Sequence, residues 1–155
     1  MNIKDGSVNM DYHVSLKLVL KNKLGEVLLL KEPDDNSMAG YYDLPGGRVT
    51  RGEINTSLRK IIKREIAEEI GSQVKYLLKE IPVATGRHVY YSKRSHRDQH
   101  LFWIVFETKY LGGKINVSFE HKEYAWIKIT KRNYQKYFIR GPLDSMHNYL
   151  FHKFA

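Results

Sequence analysis

Residues 57–71, Ser-Leu-Arg-Lys-Ile-Ile-Lys-Arg-Glu-Ile-Ala-Glu-Glu-Ile-Gly, constrain this chain more than any other stretch. Asn55, Thr56 and Ser57 are all good helix N-caps, and Gly71 suits a left-handed stop. A helix ending at Ile70 is therefore expected. Its apolar residues Leu58, Ile61, Ile62, Ile66 and Ile70 fall mostly four apart and form one stripe. At about 100° per residue, Glu65, Glu68 and Glu69 fall within about 100° of one another. Glu69 lies inside the arc of the stripe, between Leu58 and Ile62, and Glu65 lies between Ile61 and Leu58. Two carboxylates thus border the buried face, which is costly unless something compensates their charge. Ion pairs with Lys60, Lys63 or Arg64 would do so. So would a divalent cation, and oxygen ligands without Cys or His suit Mg²⁺ or Mn²⁺.

Around this helix the pattern is mostly that of strands. Val14, Leu16, Leu18 and Leu20 alternate over residues 13–20, and Val27, Leu28, Leu29 and Leu30 form a short apolar run after a Lys-Leu-Gly turn. The two are expected to pair as a hairpin. Residues 41–47 form a short extended piece ending in Gly46-Gly47. Separate strands are expected at residues 74–78 and 82–91, with a charged turn at 92–99. Further strands are expected at residues 100–110 and 124–129. A helix is expected over about residues 131–138, and another from Pro142 as a first-turn residue to the end. The reading is one α+β domain over residues 1–155: an α/β/α sandwich whose mixed sheet is flanked by the carboxylate helix and C-terminal helices. Tyr134, Phe138, Met146, Leu150 and Phe154 recur at helical spacing and serve helix docking or a homodimer contact.

The chain has 155 residues, 42% of them hydrophobic, enough for one core, and no cysteine. Disulfides and thiolate metal sites are excluded. Residues 1–12 are polar and lack the apolar run of a signal peptide. No stretch reaches the roughly 20 apolar residues of a membrane span. The expected setting is cytoplasmic, with no membrane partner. A net charge of +9 fits an anionic partner or a lysine-rich surface.

Gly47 and Glu53 with five residues between them, then Arg64-Glu65-Ile66-Ala67-Glu68-Glu69-Ile70-Gly71, resemble the Nudix hydrolase box. The box reads Gly, five residues, Glu, seven residues, Arg-Glu, apolar, any, Glu-Glu, any, Gly, apolar. The entry Leu44-Pro45-Gly46-Gly47 is also similar to that of the family. Ten residues, not seven, separate Glu53 from Arg64, and Ser72 stands where the box ends on an apolar residue. The unbroken match from Arg64 to Gly71 locates the three extra residues before Lys60. A later segment, Glu120-His121-Lys122-Glu123-Tyr124-Ala125-Trp126, resembles the family's late acidic loop and strand.

The resemblance implies a pyrophosphohydrolase that cleaves a phosphoanhydride bond in a nucleoside diphosphate linked to another moiety. It implies Mg²⁺ or Mn²⁺ held by the Gly47 carbonyl with Glu65, Glu68 and Glu69, and joined by Glu120. One of these carboxylates activates water, with Glu123 and then His121 as reserves for Glu120. It gives Arg64 the task of orienting a glutamate. Arg48, Tyr42, Arg87, Arg94 and Arg97 are the substrate-binding candidates. The substrate is a nucleotide-type small molecule or an RNA 5′ end. The basic run at 87–97 serves phosphate capture or is a solvated hairpin tip. The rival function is a basic nucleotide- or RNA-binding module on the same fold, without turnover. No P-loop, Rossmann loop or Gly-x-Ser-x-Gly elbow is present.

Overall fold

The first strand owes its composition to having cover on both faces. In the computed structural model of the protein, which describes residues 9–154, β1 (His13–Lys21) is buried continuously from Ser15 to Leu20. Leu16, Leu18 and Leu20 face one core with Leu28, Leu30, Ile62, Ile66 and Phe106. The opposite face supplies Val19 to a second core with Leu29, Val105, Phe138 and Met146. Ser15 and Lys17 lie on that second face too and are buried. The first part of the polar N-terminal stretch, residues 1–8, lies outside the described residues.

β1 runs parallel to β6 (Arg97–Gly112), in register from His13↔Leu101 to Lys21↔Lys109. The expected hairpin with β2 (Val27–Lys31) forms, but the two strands pair only at Lys21↔Val27. β2 then diverges and lies between β3 (Tyr42–Asp43) and β7 (Glu123–Ile127). The edge of β1 that β2 leaves is taken by β4 (Gly46–Arg48), with Lys17 opposite Gly46 and Leu16 opposite Gly47. This divergence brings the diglycine into the middle of the mixed sheet.

The two strands expected at residues 74–78 and 82–91 merge into one long strand, β5 (Lys75–Ser92), which begins one residue later than expected and runs antiparallel to β6. The register shifts around Pro82. Proline cannot donate to the ladder and is tolerated at an edge-strand irregularity. Strand β6 also begins earlier than expected, narrowing the charged turn. α1 (Leu58–Glu69) starts after Ser57 and is followed by Gly71 at φ +101°. Its stripe is buried at Ile61, Ile62 and Ile66, while Leu58, in the first turn, stays exposed.

The helix expected at 131–138 is absent: only a 3-10 turn forms at Tyr134–Lys136. Side chains there capture the backbone groups a helix would need. Thr130 N–H donates to Asn133 Oδ1, Arg132 N–H to Thr130 Oγ1, and Asn133 Nδ2 to the Lys128 carbonyl. α2 (Arg140–Phe151) carries Pro142 in its first turn. Tyr134, Phe138 and Met146 pack into the second core, so most of that stripe serves docking within the chain; Phe154 is exposed. The α/β/α sandwich is as expected. No helix among the described residues is long and apolar enough to cross a membrane.

Candidate active site

The site grows from the contact between α1 and β4. Glu65 and Glu69 are each 7% exposed, whereas Glu68 is exposed. Burial pushes the Glu65 carboxyl above its ordinary pKa, with the Arg64 guanidinium opposing the shift. Gly47 lies directly against Glu65: a side chain here would run into the Glu65 carboxyl group. Gly46 has φ +124°, and a side chain on it would strike the Leu16 carbonyl. Its N–H donates to Glu69 Oε2 at 2.6 Å. Two glycines in succession therefore let backbone polar groups approach two buried carboxylates.

Arg64 ties the acidic groups together. Its Nε donates to Glu53 Oε1 at 2.6 Å and its Nη2 to Glu53 Oε2 at 2.9 Å. Its Nη1 donates to Glu65 Oε1 at 2.7 Å and Glu68 Oε2 at 2.9 Å. The Glu53 carboxyl is held down at about 2 by the Arg64 hydrogen bonds and then the Thr50 N–H. The three extra residues do not disturb this geometry. Helix α1 is continuous from Leu58 to Glu69 with no bulge between Arg64 and Glu69, as expected of extra residues that lie before Lys60.

The late loop enters differently from its sequence likeness. Glu120 is exposed, and its backbone N–H donates to Ser118 Oγ. Glu123 pairs with Lys31 at 3.2 Å. His121 is the residue of this loop that reaches the helix, with Nε2 3.4 Å from Glu69 Oε1. Its side chain is 8% exposed and its Nδ1 is buried without a hydrogen-bond partner. Burial opposes a charge on His121, but Glu69 outweighs it and the pKa is raised.

On the other side of Gly47 a hollow of about 290 Å³ opens, lined among others by Lys17, Asp43, Arg48, His88, Tyr90 and Trp103. Arg48 lies over the Tyr90 ring and its Nη2 donates to the Tyr90 hydroxyl at 2.6 Å. His88 stacks on Tyr90 with rings 6.0 Å apart. Burial, reinforced by Arg140, Lys17 and Arg48, lowers the His88 pKa. Trp103 Nε1 is buried without a partner. Tyr42 stands apart from the lining, edge-on to Tyr137 with Lys31 over its ring. Arg87, Arg94 and Arg97 are exposed on the β5–β6 hairpin. The structure thus brings together Gly47, Arg64, Glu65, Glu68 and Glu69, with Arg48 beside them, but not Tyr42 or the hairpin arginines.

Sequence reasoning missed Lys17, Asp43 and Trp103, and placed His88 only within the basic run at residues 87–97. The only signal for Lys17 was a lysine inside an otherwise apolar strand, which normally marks a solvent face.

The residues fit a hard divalent cation in chemistry: carboxylate oxygens on one helix edge and a glycine gap that a Cβ would fill. Among the described residues no three His, Cys, Asp or Glu groups are already gathered for a metal ion. Arg64 bridges the helix carboxylates instead, as the ion-pair alternative requires.

The NUDIX domain family matches residues 11–141. A MutT protein from Methanosarcina mazei Go1 is similar at 29% identity and TM-score 0.55, covering 79% of this chain and 80% of that one. A NUDIX hydrolase from Nitrosomonas europaea shares the fold at 18% identity and TM-score 0.61, over 92% and 72% of the two chains. The NUDIX domain of Shewanella oneidensis NrtR, whose cocrystal structure contains ADP ribose, does so at 13% identity and TM-score 0.59, over 96% and 90%. No curated protein matches the chain. With the family match running from the first strand into α2 and the box residues gathered at α1 and β4, the chain belongs to the Nudix hydrolase family.

Proposed function

We propose that the protein hydrolyses the phosphoanhydride bond of a nucleoside diphosphate linked to another moiety, with Mg²⁺ or Mn²⁺ as cofactor. The observation that carries this reading is the pair of buried carboxylates, Glu65 and Glu69, packed against the Gly46-Gly47 backbone. Glu65, Glu68, Glu69 and the Gly47 carbonyl would hold the cation. The bound ion neutralises charge on the diphosphate and makes a water a better nucleophile. Arg64 orients Glu65 and Glu68 and is itself fixed by Glu53. His121 holds Glu69 Oε1, while Glu120 is exposed in the same loop and is the reserve carboxylate.

Arg48 and the hollow beside Gly47 receive the nucleoside end; the Shewanella domain, of the same fold, is complexed with ADP ribose. Arg87, Arg94 and Arg97 attract the phosphates of a nucleotide or of an RNA 5′ end from a distance, by charge. The test is a phosphate-release screen over nucleoside triphosphates, ADP-ribose, dinucleoside polyphosphates and capped RNA, with each metal. Turnover on at least one of them, abolished by chelator, is expected. Binding of these ligands without turnover by either metal would make the protein a binding module instead.

A further inference from the structure

We propose that Lys17 is a positioning residue for the metal face, acting through the Gly46-Gly47 backbone; this inference rests on the metal reading above. Its ammonium group is buried beneath the diglycine. Nζ donates to Asp43 Oδ2 at 2.8 Å, to the Leu44 carbonyl at 3.2 Å and to the Gly46 carbonyl at 3.2 Å. An ammonium has three N–H donors, so all are spent on the segment that carries the glycines. The same group sits 4.8 Å from the centre of the Trp103 ring. The Lys17 and Asp43 side chains are 7% and 11% exposed. With its donors spent, Lys17 offers none to a substrate in the hollow.

What it does is fix peptide planes. The Gly46 carbonyl is drawn toward Lys17, while the Gly46 N–H is spent on Glu69. The next residue, Gly47, is thereby seated against Glu65. Asp43 completes the strap: its Oδ1 accepts the Leu44 N–H at 2.6 Å. One cation on β1 thus determines where a backbone carbonyl and two helix carboxylates meet. A buried ion pair is weak evidence for stability, because apolar replacements of both partners are often neutral. Its place beneath the site gives it a positional task. Partners that orient metal ligands without touching the metal typically contribute about 10- to 100-fold in affinity.

The sign of the effect separates positioning from simple electrostatics. A lysine near a cation site repels the cation, so charge alone predicts that removing Lys17 tightens metal binding. Positioning predicts that it weakens. The experiment is a Mn²⁺ titration followed by electron paramagnetic resonance on wild type, Lys17→Met and the double variant Lys17→Met/Asp43→Asn. Thermal unfolding of each is measured without metal.

A Kd raised about tenfold or more in a folded variant is the expected result. The double variant removes both charges of the pair together and keeps the test alive if Lys17→Met fails to fold. Unchanged or tighter Mn²⁺ binding in either folded variant would overturn the inference. Loss of fold in both would also overturn it, assigning Lys17 to stability. If the wild type itself binds no Mn²⁺, the metal reading fails first and takes this inference with it.

Discussion

At the scale of the residue, the site is a balance of buried negative charge. Glu69 has one oxygen on the Gly46 N–H and the other near His121. Glu69→Gln keeps the size and removes the charge. Turnover is expected to fall about 100-fold at saturating metal, with the unfolding midpoint nearly unchanged. Near-normal turnover would remove Glu69 from the metal-binding set. The loop residues give a sharper contrast. His121 contacts Glu69 whereas Glu120 is exposed, so His121→Ala is expected to lower kcat about tenfold and Glu120→Gln by less. The reverse order would show that Glu120 enters the site during turnover. The helix carboxylates and Arg64 were legible in the sequence because a fixed helical period ties residue spacing to direction. Lys17, Asp43 and Trp103 were not, because they meet only across strands far apart in the chain.

At the scale of the element, two packings carry separate predictions. The hairpin of β5 and β6 presents Arg94 and Arg97 in solvent, while nearer its base Tyr90 is bonded to Arg48. Charge reversal at Arg94 and Arg97 is expected to raise KM, more at low ionic strength, with kcat nearly intact. A collapse of kcat at constant KM would assign them to the reacting centre, and no change at any salt would make them a solvated tip. Helix α2 lies on β5 so closely that a side chain on Gly86 would meet Ser145 of the helix, including its backbone. Gly86→Ala should therefore cost about 1–3 kcal/mol, read as a lower urea midpoint. Unaltered stability would mean that α2 can lift without loss.

At the scale of the whole molecule, Glu107 ties sheet to terminal helix. Its Oε2 accepts from the Tyr149 hydroxyl at 2.6 Å and Lys153 Nζ at 2.7 Å, with Lys21 Nζ at 3.5 Å. Burial alone would raise its pKa, but Lys153 and Tyr149 outweigh it and the carboxyl stands at about 2, below the ordinary 4.5. A depressed folded pKa contributes stability that is present above the unfolded value and lost as pH falls through the folded one. Wild type is therefore expected to exceed Glu107→Gln in unfolding free energy at about pH 7. The two should converge between about pH 4.5 and pH 2. A constant gap across that window, measured by urea denaturation, would show that the carboxylate charge is not what holds α2.

The sequence by itself determined the carboxylate helix, its start among Asn55, Thr56 and Ser57 and its stop at Gly71, the box spacing and the sandwich, since each depends on local period or a short motif. Its lapses share a cause. The helix expected at 131–138 lost to side-chain hydrogen bonds around Thr130 and Asn133. The break expected between residues 78 and 82 was bridged because β6 continues alongside as a partner. Tertiary structure alone decided that β2 diverges from β1, that β4 fills the edge it leaves, and that Lys17 ends up buried beneath the diglycine. Those outcomes depend on which strand pairs with which over long sequence separations, and hydrophobic period carries no record of partner choice.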